Sequence, residues 1–278
     1  MGMKLQKNLN KIIILTVCLL MFLLYVFPFF LILINSFKSR LEVVEDPLSL
    51  PKSFFDFSNF IEAFQTMNYG SAVINSLIIT IVSVVVIILF SSMLAYYLVR
   101  HDSKLSKVIF MSLVASMIIP FQSVMIPFVT IFGNLGLLNS RGMLIYFYLG
   151  FGISMATFMF HGFLKSIPVE LEEAAIIDGA SRLQVFFKIV LPMLKPTTAT
   201  IAILDVLWVW NDFLLPSLVL VNDNVRTLPL STFYFFGKYT ADYSVAMAAL
   251  VLVLLPVLIF YFIMQKRIIA GVVDGAIK

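Results

Sequence analysis

The chain has 278 residues, of which 61% are hydrophobic and 12% charged, with a mean hydropathy of +1.04. Soluble domains run nearer half apolar and a quarter charged, so this composition excludes a water-soluble globule and requires lipid to cover much of the surface. The formal charge of +4 is small, and a single cysteine, Cys18, excludes an intramolecular disulfide and a cysteine-based metal cluster.

The first apolar run, 12–34, follows Lys4, Lys7 and Lys11. It is too long for the core of a signal peptide and ends at Ile34-Asn35-Ser36 without a small-x-small cleavage site, so it reads as an uncleaved anchor. Residues 35–70 are polar by comparison, carrying Glu42, Glu45, Asp46, Asp56 and Glu62, and Pro47 and Pro51 forbid one continuous helix there. Further apolar runs occupy 72–99, 108–132, 142–164, 197–221 and 244–264. Each is long enough to cross a hydrocarbon core of ~30 Å as a helix. The alternation of a barrel is absent, so the expectation is an all-α protein of six spans forming one transmembrane domain over 1–278.

Lysine and arginine fix the orientation. With the N-terminus inside, thirteen fall in inner segments and six in outer ones, the latter being Lys38, Arg40, Lys52, Arg141, Arg226 and Lys238. Both termini are therefore expected in the cytoplasm. Tyr69, Tyr146, Tyr148, Tyr239 and Tyr243 near outer ends, and Tyr96 and Tyr97 near an inner end, read as interfacial anchors.

Residues 165–196 form the one long inner loop. Ser166 is placed to cap a helix with Pro168 in its first turn, and Glu170, Glu172 and Glu173 favour its positive N-terminal end. Gly179 ends that helix. Ser181 with Gln184 is a capping-box spacing that opens a second helix, which Pro192 and Pro196 are expected to close. Leu171, Ala174, Ala175 and Asp178 recur at helical spacing as a small-residue strip open to close approach by another surface. By spacing alone, an interfacial helix that merely connects two spans fits equally.

The run Glu173-Ala174-Ala175-x-x-Asp178-Gly179-Ala180, followed by Ile189-x-Leu191-Pro192, resembles the EAA loop of ABC importer permeases. The likeness covers essentially the whole chain. Asn75-Ser76-Leu77, Ala95-Tyr96 with Arg100, Ile119-Pro120 through Ile126-Pro127 and Leu135-Gly136-Leu137 are similar to carbohydrate-type permeases. So are Trp210-Asn211-Asp212-Phe213 with Pro216, Thr227-Leu228-Pro229-Leu230, and the tail from Gln265-Lys266-Arg267 through Gly275-Ala276. The maltose-type second permease is the nearest likeness. The resemblance implies a type I ABC importer transmembrane domain that pairs with a second permease as a heterodimer, a cytoplasmic ATPase dimer and an extracellular solute-binding protein, in a bacterial or archaeal plasma membrane.

It also implies that the 169–181 helix is the coupling helix, with Leu171, Glu173, Ala174, Ala175, Asp178, Gly179, Ile189 and Pro192 meeting the ATPase. No phosphate-binding loop of the G-x-x-x-x-G-K-[ST] type is present, so ATP and Mg belong to the partner ATPase, and neither an enzymatic activity nor nucleic-acid binding is expected of this chain. His101 and His161 stand alone and read as interfacial residues rather than metal ligands. The tail after Lys266 reads either as a second ATPase contact or as an overhang.

For the solute path, helices broken by Pro or Gly near the midplane are the pointers. Pro120 and Pro127 with Gln122 mark the third span, and Gly150 and Gly152 the fourth. In the fifth, Asp205, Trp208 and Asp212 fall on one side of a helix, with Asp205 roughly 13 Å deep. A carboxylate there costs at least ~2.5–3.5 kcal/mol unless it meets water, a partner or a proton. Three roles fit Asp205: a hydrogen bond to a neighbouring helix or the paired permease, a hydrogen bond to sugar hydroxyls beside a stacking Trp208, or a proton-linked role. The resembling permeases usually carry an apolar or small residue there. Asn211 and Asp212 fit either a helix-end cap or solute contact. A non-sugar importer permease for polyamine, amino acid or phosphonate stays open, as does a self-contained secondary transporter or channel; the EAA pattern argues against the latter and against a purely structural scaffold.

Overall fold

A computed structural model describes the backbone of residues 2–235 and 242–276 and the side chains of 11–235 and 242–265. Lys238 and Tyr239, and the tail side chains beyond Gln265, lie outside the described residues. The described chain is mostly helical, without strands, and divides into two compact units: Met1–Tyr69 with Thr232–Leu258, and Gly70–Ser231 with Ile259–Lys278.

In the first unit, α1 (Gly2–Asn35) carries Pro28 without breaking, and only 6% of its most apolar stretch is buried. Two short helices follow, α2 (Arg40–Glu45) and α3 (Ser58–Thr66), separated by the segment that Pro47 and Pro51 keep non-helical. Ser39 and Glu42 form a reciprocal capping box on α2. The segment is tied down by polar side chains reaching backbone carbonyls. Asn35 donates to Leu31 and Pro47, Lys38 Nζ to Asp46 at 2.9 Å, and Asn59 to Ser36 and Lys38. Phe37 packs against Phe54, Phe57 and Phe60 with ring centroids 5.0–5.7 Å apart. Lys38, counted among the outer charges, is buried because its ammonium replaces water with a carbonyl.

The second unit is built on α4 (Tyr69–Arg100), followed by α5 (Lys104–Ser116), α6 (Phe121–Asn134) and α7 (Arg141–Leu164). The buried face of α4 recurs every three to four residues through Ser76, Thr80, Ser83, Ile87, Ser91 and Ala95. Small residues at that spacing let helices approach closely inside a membrane, where packing rather than hydrophobicity drives association. On α7, Gly152 permits the tightest contact: a Cβ there would lie 2.7 Å from Ile87 Cδ1 and 3.2 Å from the Trp208 ring.

The predicted third span is a bent pair. α5 and α6 meet at 102°, because Pro120 lacks an N–H and drives its predecessor out of the α-region, and it adopts an extended ψ of 135° as the residue before α6. Pro127 sits inside α6 without ending it.

The inner loop follows with α8 (Glu170–Ile177), α9 (Arg182–Val185), a π-helical turn (Phe186–Val190) and α10 (Leu191–Met193). The second helical run ends at Met193, between Pro192 and Pro196 as expected. Pro196 lies in the first turn of the next helix, α11 (Lys195–Asn211), where a missing N–H costs nothing. The predicted fifth span also differs, since α11 stops at Asn211 and α12 (Leu214–Val219) is separate. Helix 182–193 and α11 form the second bent pair, at 75°. Among the described residues, four helices are long and apolar enough to cross a membrane, or up to six if each bent pair is one span.

Beyond α12 the chain is pinned to α4. Asn75 Nδ2 donates to the carbonyls of Asn224 and Arg226 at 2.9 and 3.0 Å, Arg141 donates to Asn75 Oδ1, and the Leu228 amide of α13 (Leu228–Ser231) donates to Ser76 Oγ at 2.7 Å. The final long helix, α14, runs from Tyr243 to Ala276 with Pro256 inside it.

Candidate functional site

The inner loop acquires its shape from local chemistry. α8 begins at Glu170 without a side-chain cap. Ser166, expected to provide one, instead donates its hydroxyl to the Phe163 carbonyl at 2.7 Å, because the chain between it and α8 is still completing the turn after α7. At the other end Asp178 is the cap residue and Gly179 has φ +88°. The Gly179 amide reaches Ile176 O at 3.0 Å and the Ala180 amide reaches Ala175 O at 2.9 Å, the paired bonds of a Schellman ending. Ser181 and Gln184 then make the expected reciprocal capping box, with bonds of 2.8 and 3.3 Å.

On α8, Leu171, Glu173, Ala174, Ile177 and Asp178 are exposed, while Ala175 turns partly into the core. The expected strip thus loses Ala175 to packing against the core. Ile189 is half-buried in the π-helical turn, and Pro192 is exposed.

Sequence reasoning missed the residue that seats α8. Glu172 is 5% exposed. Its carboxylate accepts from Arg100 Nε at 2.8 Å and Nη2 at 2.6 Å, and from Tyr96 Oη at 2.7 Å. Arg100 Nη2 also donates to Ile167 O at 3.0 Å, and the Tyr96 ring packs on Phe186 at 5.4 Å. Two guanidinium bonds to Oε1 and a phenol bond to Oε2 satisfy the charge that burial would otherwise penalise. Three glutamates stand in the first turn, and nothing but the helix phase distinguishes the buried one.

The solute-path candidates separate onto different faces. Along α11, Leu204, Leu207, Trp208 and Asn211 form an exposed stripe at i, i+3, i+4 and i+7. Asp205 is buried beside this stripe: it is 7% exposed, and its Oδ2 has no hydrogen-bond partner among the described residues. Asp212 is half-buried and follows the last residue of α11. Its Oδ1 accepts from the Leu214 amide and its Oδ2 from Tyr148 Oη at 2.9 Å. Tyr148, expected as an interfacial anchor, is wholly buried, with Trp208 edge-on at 5.5 Å. Gln122 is exposed in the first turn of α6. His101 stacks on Tyr97 at 4.4 Å and His161 on Phe110 at 3.9 Å.

Comparison with known proteins adds to this geometry. Residues 87–273 match the family described as binding-protein-dependent transport system inner membrane component. The chain is 48% identical over 256 residues to the probable starch degradation products transport system permease protein AmyC of Thermoanaerobacterium thermosulfurigenes, covering 92% of this chain and 93% of that one. It is 36% identical over 252 residues to the melibiose/raffinose/stachyose import permease protein MelC of Bacillus subtilis, covering 90% and 91%. It is 36% identical over 283 residues to the multiple sugar-binding transport system permease protein MsmG of Streptococcus mutans, covering 99% and 100%. A crystal structure of a bacterial ABC transporter involved in the import of the acidic polysaccharide alginate contains a chain of the same fold. The TM-score is 0.79 at 22% identity, covering 94% of this chain and 97% of that one. With an all-helical membrane fold, an exposed capped loop after α7 and relatives aligned nearly end to end, the chain belongs to the binding-protein-dependent transport system inner membrane components, the permeases of ABC importers.

Proposed function

We propose that the chain is one of two different permease subunits in an ATP-driven oligosaccharide importer, oriented with both termini in the cytoplasm. The observation that carries the sugar assignment is the set of relatives aligned nearly end to end, whose names specify starch degradation products, melibiose/raffinose/stachyose and multiple sugars. The excess of lysine and arginine on the inner segments supports the orientation.

In this reading a loaded solute-binding protein docks on the outer face, and ATP with Mg is bound and hydrolysed on a cytoplasmic ATPase dimer. The exposed face of α8, with Leu171, Ala174, Glu173 and Asp178, seats in a cleft of that ATPase. Closure of the ATPase pushes α8, and the membrane helices switch from inward- to outward-facing access. This chain supplies shape and leverage and performs no chemistry. Trp208 and Asn211, on the exposed stripe of α11, meet the sugar by ring stacking and hydrogen bonding.

The test is purification of the tagged chain from native membranes, followed by mass spectrometry and ligand screening of the co-purifying binding protein. A second permease, an ATPase and a binding protein that takes an oligosaccharide are the expected result. A chain that transports alone after reconstitution would overturn it.

A further inference from the structure

We infer that Arg100 and Glu172 form a rigid joint that makes the coupling helix move as one body with the inner end of α4. This deepens the proposed function, since it rests on α8 being the element that the ATPase pushes. A short helix of eight residues between two loops has little hold of its own on the membrane domain. Most of its exposed face is free for a partner, so a push would be dissipated unless something behind it transmitted the force.

The geometry supplies a polar connection at Glu172. Glu172 lies on the side of α8 away from Leu171 and Asp178, and it takes three charge-assisted bonds from two residues one helical turn apart on α4. Arg100 additionally grips Ile167 O, so one guanidinium holds both α8 and the turn that precedes it. The side chains of the pair are 14% and 6% exposed, which spares the pair most of the screening that weakens ion pairs in water. A planar guanidinium whose Nε and Nη2 converge on one carboxylate oxygen while Nη2 also holds a carbonyl resists rotation as well as separation. Behind it, Tyr96 packs on Phe186, which lies in the π-helical turn leading to α11. The push on α8 therefore reaches α4 through charge, and the chain toward α11 through an aromatic contact. Arg100, Glu172 and Tyr96 are positioning residues in this scheme; none touches solute or nucleotide.

The joint is tested in the complete importer, with its second permease, ATPase and binding protein, reconstituted in proteoliposomes. Arg100→Met and Glu172→Gln each lower solute imported per ATP hydrolysed by about tenfold, within the range of coupling between sites, while ATPase still co-purifies. The double exchange R100E with E172R restores a large part of that ratio, which a merely structural role would not require. A second measurement does not depend on the variants folding. Spin labels at Glu170→Cys and Tyr97→Cys, in a Cys18→Ser background, report the distance from α8 to α4 with and without trapped ATP. A rigid joint keeps it constant to within about 2 Å, whereas a helix that re-seats by a turn shifts it by on the order of 5 Å. A shift of that size, or single variants that couple normally, overturns the joint. Absence of any ATPase from the purified complex overturns the importer reading instead.

Discussion

Replacing Gly179 by alanine, asparagine and valine separates backbone strain from crowding at the bend after α8. A Cβ at this position would meet no atom within 4 Å, so the added side chain has room, and any effect comes from φ +88°. Holding an L-residue in the left-handed region costs roughly 1–2 kcal/mol, a factor of about 5–30 in the population of the bent loop. Alanine bears that cost, asparagine less because it tolerates the region, and valine more because branching at Cβ crowds its own backbone. The expected order of coupling, as solute imported per ATP in the reconstituted importer, is glycine, asparagine, alanine, valine. ATP hydrolysis without solute should rise in the opposite order. Equal coupling in all four proteins would refute the argument, since the bend would then carry no functional constraint.

Trp208→Ala is expected to cut maximal uptake several-fold while leaving the affinity of the isolated binding protein unchanged. Asp205→Asn, altering a side chain buried beside the exposed stripe, should leave uptake near normal; the reverse pattern in a transport assay would move the solute contact to Asp205. Tyr148→Phe leaves one oxygen of the half-buried Asp212 without its donor, at a cost of ~1–3 kcal/mol, and a lower melting temperature in detergent with α11 still helical checks it. In the first unit, Glu42 is held down to about 2 from its ordinary 4.5, by the Lys52 hydrogen bond first and then by Ser39. Because the folded value lies below the unfolded one, its stabilisation of α2 is complete above about pH 4.5 and disappears as the pH falls through 2. Amide exchange in 40–45 should therefore be slower than in Glu42→Gln at neutral pH, with the difference shrinking on acidification; an unchanged gap would rule this out.

The parts of the fold written in local signals were readable beforehand. Gly179 and the Ser181–Gln184 pair define the bend because each acts within four residues of itself. Pro47 and Pro51 break the segment after α1 for the same reason. The ends of the membrane helices were less legible, because hydropathy continues through them. The apolar run 108–132 hides the 102° corner at Pro120, and 197–221 hides the stop at Asp212, whose carboxyl captures the Leu214 amide. Of the two roles open to Asp212, the helix-end one is what the backbone displays. Partners distant in sequence were not legible at all. Glu172 meets Arg100 across 72 residues and Tyr148 meets Asp212 across 64, and only the phase and packing of α4, α7, α8 and α11 select them.

The bareness of α1 has a consequence for how tightly its sequence is specified. Its 25-residue stretch from Lys11 to Asn35 is apolar, yet only 6% of its most apolar part is buried among the described residues, and the family match begins later, at residue 87. A helix held by so few internal neighbours is defined by length and partitioning into hydrocarbon more than by the shape of individual side chains. Exchanging leucine, isoleucine, phenylalanine and valine along it alters neither quantity appreciably, whereas one charge near its middle alters the second at once. As far as its contacts with the described residues of this chain go, the first helix is thus a module described by a thickness rather than by a surface.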